Sequence, residues 1–231
     1  MARDKKRVAI IGGGIFGVSC ALELAGEYEV VIFEQAPDVM TQGTYTNQYR
    51  HHYGFHYPRS RETVRQCLSA QDSFHSRWQG AMIEDMVSYY AVAKAGSRVT
   101  ADEFIKFCDE MGLEYKLDFP DSDWLNRDAV EVCLFTREPI YDIYKFKSLS
   151  KSMLAKNESA KLRLSSRIID AKFDETTGQK ILTISNKGHE SKEAFDYVVN
   201  ATYASQNLLK NWLGFPALEI EFRLKEVPIV R

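Results

Sequence analysis

Residues 7–34 read RVAIIGGGIFGVSCALELAGEYEVVIFE. Val8–Ile11 are small or β-branched apolar residues in an unbroken run, the pattern of a strand buried on both faces. Gly12, Gly14 and Gly17 follow at G-x-G-x-x-G. In that spacing the first glycine makes a tight turn and the second admits a pyrophosphate to the backbone without a Cβ in the way. The third lets a helix pack close on the strand. A helix over Ile15–Ala25, with Ile15 and Phe16 opening its first turn, directs free N–H groups and a partial positive charge at the phosphates. Val30–Phe33 is the next strand. Glu34 stands twenty residues beyond Gly14, where a carboxylate accepts both ribose hydroxyls of an adenosine. Strand, glycine turn, helix, strand and acid, in that order, predict a bound dinucleotide.

Two other readings of the stretch fail. Arg3, Lys5, Lys6 and Arg7 before the apolar run Val8–Leu22 have the parts of a secretory signal. Three successive glycines make a poor signal helix, no small-residue cleavage site follows, and Glu23 ends the run. Ser19 in Gly-Val-Ser-Cys-Ala sits inside the helix and lacks the closing glycine of a nucleophile elbow.

The chain has 231 residues, enough to bury a core as one large domain or two small ones. Thirty basic against 32 acidic residues leave a net charge of −2, which favours neither nucleic acid nor an anionic membrane as partner. No apolar run reaches the ~18–20 residues of a membrane span. Cys20, Cys67, Cys108 and Cys133 share no C-x-x-C spacing, so reduced thiols in a cytoplasmic protein are expected. Nothing sets the oligomeric state.

After Glu34 a simple NAD-binding domain would supply a third parallel strand, but residues 35–60 are polar and turn-rich. A helix is expected over Arg61–Trp78, a strand over Met86–Ala93, and a capping box at Thr100 opening a helix that Gly112 stops. Val130–Phe135 reads as a strand and Tyr141–Lys156 as a helix. Strands follow at Lys161–Leu164, Ile168–Phe173 and Ile181–Ser185, then a buried parallel strand Phe195–Ala201 and a helix Ser205–Leu213. The expected fold class is α/β: a Rossmann-like FAD/NAD(P)-binding domain (residues 1–80 and 145–215) with an inserted α+β substrate domain built on an antiparallel sheet (residues 81–144 and 216–231). Glu219–Arg231 has strand character and stops inside what reads as an unfinished element, which suggests a fragment.

Four blocks resemble one family. They are the glycine motif with Glu34, the segment NQYRHHYGFHYPRSRETVRQC (residues 47–67), FTREPIYDIYKFKSL (residues 135–149) and DYVVNAT (residues 196–202). In the second, His52, Gly54, Tyr57, Pro58, Ser60 and Cys67 fall on the family's places. The chain resembles FAD-dependent oxidoreductases of the D-amino-acid-oxidase type, which include glycine and sarcosine oxidases and L-2-hydroxyglutarate oxidases. It departs at Tyr203, where most relatives have glycine, and this leaves the close approach of backbone to cofactor open there.

The resemblance implies FAD, with its pyrophosphate at Gly12–Gly17, its adenosine ribose on Glu34 and its adenine near Gln35 and the backbone of Ile168. Thr44, Thr46 and Asn47 would bond ribityl and phosphate oxygens, and Ala201 and Thr202 end the strand beside the cofactor. The implied reaction is oxidation of a small carboxylated amine or 2-hydroxy acid by hydride transfer to flavin N5. A hydroxy acid needs a proton acceptor, and a histidine suits.

His51, His52 and His56 share one segment with Arg50 and Arg59. Gly54 and Pro58 argue against the helix that would align two histidines on a metal, so no metal is expected. A structural loop and a flavin-proximal site with His52 as acid/base, also touching the cofactor, both stand. Arg50 or Arg59 could meet a substrate carboxylate, and Tyr89, Tyr90 and Arg137 are candidates for a pocket of aromatic walls with one cation. Two rival functions stand beside this one: a flavin-dependent biosynthetic or tailoring enzyme acting on a sugar- or lipid-linked substrate, and a non-catalytic dinucleotide-binding fragment.

Overall fold

The structure is a computed structural model that describes residues 5–222. In chain order its elements begin with β1 (Arg7–Ile11), α1 (Ile15–Leu24), β2 (Glu29–Phe33) and α2 (Arg61–Trp78). Next come β3 (Met82–Ile83), β4 (Val87–Ala93), α3 (Ala101–Met111), β5 (Lys116–Leu117), β6 (Val130–Arg137) and β7 (Ile140–Tyr141). The last are α4 (Ile143–Ala155), β8 (Ala160–Arg163), β9 (Ser166–Phe173), β10 (Lys180–Asn186), β11 (His189–Phe195), β12 (Tyr197–Asn200) and α5 (Gln206–Trp212). The chain divides into two compact units, Met1–Asn47 with Lys147–Arg231, and Gln48–Phe146. Residues 48–80, expected with the dinucleotide-binding part, therefore cluster with the second unit. The reason is packing: Phe55 and Val64 lie in the same buried core as α3 and β6.

The first unit has a parallel sheet in the order β12–β1–β2–β8. The third parallel strand missing after Glu34 is β8, delivered only after the whole second unit has intervened. Ala9, Ile11, Val31 and Phe33 point to one face and bury against Ile168, Ala171, Leu182, Ile184 and Phe195 of the antiparallel sheet β11–β10–β9, with Leu209 of α5. Ile10 faces the other way, toward α1, whose buried residues are Gly17, Val18 and Ala21. Both faces of β1 and β2 are thus covered, which is why their sequences are continuously apolar.

One expected strand is two. Phe195–Ala201 breaks at Asp196, where the chain leaves the antiparallel sheet (β11) and enters the parallel one (β12). Asp196 fixes the crossover: its carboxylate accepts from the Arg7 N–H at 2.8 Å, and its own N–H donates to the Arg7 carbonyl at 3.0 Å. Of the strand expected over Glu219–Arg231, residues 219–222 are irregular and the remainder lies outside the described residues.

The second unit packs the antiparallel sheet β4–β6–β5 against α2 and α3. The α3 helix has the predicted capping box, Thr100 and Glu103 exchanging side-chain and backbone bonds, and ends on Gly112 in the left-handed region. Ser60 caps α2 by accepting from the Thr63 N–H. A two-stranded ladder, β3 with β7, continues into a bridge between Arg50 and Ile140. Among the described residues no helix is long and apolar enough to cross a membrane.

Candidate functional site

In the first unit the glycine turn lies at the carboxyl end of β1. Gly12 has φ +111°, and a Cβ there would sit 2.5 Å from the Ala201 carbonyl oxygen. A Cβ on Gly17 would sit 1.9 Å from the Gly12 oxygen, so α1 approaches β1 as closely as backbone allows. Gly14 differs: its backbone is extended, and a Cβ would meet only the Thr44 hydroxyl, at 3.3 Å. The space in front of the α1 amino end is therefore kept clear by the absence of a side chain. Thr44 Oγ1 accepts from the Ile15 N–H at 3.1 Å, which uses one of the first-turn donors and leaves its hydroxyl hydrogen for a ligand. Phe16 is largely exposed, at 76%.

Glu34 is buried, one carboxylate oxygen accepting from the Gly13 N–H at 2.7 Å and the other from the Ala36 N–H at 2.9 Å. Each oxygen keeps a lone pair for a hydroxyl. Ser166, at the start of β9, donates its N–H to the Glu34 carbonyl, and Ile168 lies two residues on, on the edge strand of its sheet. Ala201 donates its N–H to the Ile11 carbonyl, and Thr202 bonds to Asn200. Thr46 donates its hydroxyl to the Gln42 carbonyl, and Asn47 its amide to the carbonyls of Gly43 and Thr44, so both hold their own loop. Gly12, Gly14, Ile15, Glu34 and Thr44 are brought together by the fold. Of the donors that the resemblance implies in this loop, Thr44 keeps a free hydroxyl hydrogen, whereas Thr46 and Asn47 bond within the loop itself.

The second unit holds a buried polar cluster. Glu138 has no exposed side-chain surface. It accepts from the Tyr53 N–H at 2.8 Å and, through a short hydrogen bond, from the Tyr90 hydroxyl. Arg50 donates to the Tyr90 hydroxyl at 3.0 Å, lies 3.9 Å from the Glu138 carboxylate and covers the Tyr90 ring. Burial and the bond to Glu138 push the Tyr90 phenol far up, so it stays protonated and donates. His52 and His56 are stacked, ring centroids 5.8 Å apart, with Tyr57 edge-on to both. Burial holds the His52 imidazole below its usual value; Glu138 opposes that shift, and His56 and Arg50 add to it. Nδ1 of His52 is enclosed and has no hydrogen-bond partner among the described residues, and the same holds for Nδ1 of His51.

Arg50 is thus a member of an internal network rather than a solvated arginine, while Arg59 is exposed on the loop before α2. Tyr89 packs edge-on against Phe135 at 5.7 Å, on the face of β4 opposite Tyr90. Arg137 lines a cleft of about 1120 Å³ together with Tyr53, Phe55, Leu68, Tyr115 and Lys116. Sequence reasoning missed Glu138. Its only local signal is a carboxylate between Arg137 and Pro139 at a strand end, and its burial is set by residues 50–53, remote in sequence. No group of three or more histidine, cysteine or acidic side chains suited to a metal occurs among the described residues.

Residues 7–223 match the family described as FAD dependent oxidoreductase, DAO. The chain is 36% identical over 111 residues to the FAD-dependent monooxygenase kojA of Aspergillus flavus, a match covering 45% of this chain and 26% of that protein. Among solved structures it is similar to glycine oxidase from Geobacillus kaustophilus, with TM-score 0.69, 17% identity, and 90% of this chain covering 58% of that one. It is similar also to L-α-glycerophosphate oxidase from Mycoplasma pneumoniae with FAD bound, with TM-score 0.68, 14% identity and the same coverages. The structural likenesses establish the fold, and the chain spans little more than half the length of those structures.

Proposed function

The chain belongs to the FAD-dependent oxidoreductase family DAO, and from that premise we propose that its first unit holds FAD and its second handles a small substrate bearing a carboxylate. The observation that carries the reading is the pairing of Gly13 with Glu34 beside an α1 amino end that Gly14 leaves clear. On this reading the first-turn amides of α1 and the Thr44 hydroxyl bind the pyrophosphate, Glu34 binds the adenosine ribose, and Gln35 and the Ile168 backbone flank the adenine. Ala201 and Thr202 lie beside the cofactor. When bound, FAD supplies the two-electron acceptor for oxidation of a substrate C–H bond.

The substrate is a small carboxylated amine or 2-hydroxy acid. His52 accepts the hydroxyl proton: burial lowers its imidazole from the ordinary 6.5 and so keeps the ring neutral at neutral pH. Arg50 binds the carboxylate with the guanidinium donors that Tyr90 does not use, and Glu138 fixes its direction. Tyr89, Arg59 and Arg137 are weaker candidates for the same substrate.

A second reading is a flavin-dependent tailoring enzyme acting on a sugar- or lipid-linked substrate; the likeness to a protein named as an FAD-dependent monooxygenase supports its flavin chemistry and says nothing of its substrate. Anaerobic mixing of the flavin-loaded protein with 2-amino and 2-hydroxy acids separates the two. Bleaching of the flavin by one of these acids, slowed about 100-fold for a hydroxy acid in His52→Gln, is expected. Bleaching only by a sugar- or lipid-linked compound would transfer the assignment to the second reading.

A further inference from the structure

Among the described residues five other than glycine have positive φ: Met40, Tyr49, Ser165, Lys187 and Tyr203. Lys187 has an ordinary reason, since it forms with Gly188 the two-residue turn of the β10–β11 hairpin, which requires that conformation. Tyr203 has φ +52° in a bulky residue outside any hairpin, and the residue is 80% exposed. Neither backbone preference nor burial accounts for that placement.

The conformation is clamped from both sides. The Thr202 N–H and hydroxyl both donate to Asn200 Oδ1, at 3.3 and 2.7 Å. Asn200 Nδ2 donates to the Gln206 carbonyl at 2.9 Å, closing the turn over Tyr203. On the near side the Ala201 carbonyl packs on Gly12. Strain held by over-determined surroundings marks a position where the side chain's direction matters. Here the ring edge is brought to 3.7 Å from where a Cβ on Gly43 would lie, next to Thr44 and just beyond the carboxyl end of β12. That end of a parallel sheet is where open α/β folds receive ligands.

We propose that Tyr203 is a further cofactor-contacting residue: the Asn200–Thr202–Gln206 clamp holds its ring over Gly43 as an aromatic wall against which bound FAD packs. The inference rests on the reading that the glycine turn binds FAD.

Three substitutions separate ring from backbone, each read by titration of the apo-protein with FAD and by its thermal unfolding midpoint without FAD. Tyr203→Phe keeps both ring and strain, and binds FAD within about twofold of the natural chain. Tyr203→Ala keeps the strain and loses the ring; Tyr203→Gly loses both. Each is expected to weaken FAD binding about tenfold or more, as loss of an aromatic stacking partner does. Tyr203→Gly also raises the FAD-free midpoint by about 2–4 °C, because the left-handed strain is released. It therefore reports on binding even if Tyr203→Ala folds poorly. Gly14→Val, whose extended backbone admits a side chain, tests the underlying reading separately and should abolish FAD uptake. Loss of uptake in Gly14→Val with undiminished binding in Tyr203→Gly would overturn the role of Tyr203 alone. Uptake that survives Gly14→Val, or no uptake by the natural chain, would overturn the glycine-turn reading and this inference with it.

Discussion

His51 and His52 show how much a residue's meaning depends on what encloses it. His51 packs edge-on against Tyr53 and Phe74 with His75 nearby, and His52 lies among His56, Tyr57, Glu138 and Arg50. Burial lowers both imidazoles from 6.5. As the pH falls below about 6.5 the unfolded chain takes up protons that the folded chain refuses. Stability is therefore full above that pH and is lost as the pH falls toward the folded-state values. The unfolding midpoint, followed by circular dichroism, should drop between about pH 7 and 5.5, and less in His51→Phe. An equal drop in the variant would contradict the assignment. At this scale legibility in the sequence was uneven. Gly12, Gly14, Gly17 and Glu34 declare themselves because the chemistry that needs them is local. Glu138 does not, because its partners Arg50, Tyr53 and Tyr90 are brought to it only by the antiparallel pairing of distant segments.

At the scale of elements, local signals carried the helices. Thr100 opens α3 with the expected capping box and Gly112 stops it, while Ser60 caps α2 at the start of the expected helix. The two-residue strands β3, β5 and β7 have no sequence period to read, and the β11–β12 crossover is hidden within one apolar run. At Gly17, α1 packs against the Gly12 turn that follows β1 with no room for a Cβ. Gly17→Ala should cost about 3 kcal/mol, because the new methyl meets backbone that cannot yield. Gly26→Ala, where a Cβ meets nothing within 4 Å, should leave stability nearly unchanged. Denaturant unfolding of the pair checks this, and equal midpoints would contradict the close-packing account.

At the scale of the whole molecule, a parallel sheet begun by β1 and β2 is completed by β8 and β12 after an excursion of the chain through residues 48–146. The sequence disclosed the interruption, through the missing third strand, but set its start some thirty residues too late. Residues 48–80 carry a helix and histidines without any sign of which core they join, and only the packing of Phe55 and Val64 decides it. The central claim is that this arrangement binds FAD, and a visible absorption spectrum of the purified protein, followed by denaturation and identification of what is released, tests it most directly. A flavin spectrum with FAD recovered, either free or left on the protein through a covalent link, is the predicted result. A colourless protein that also takes up no added FAD would contradict the account.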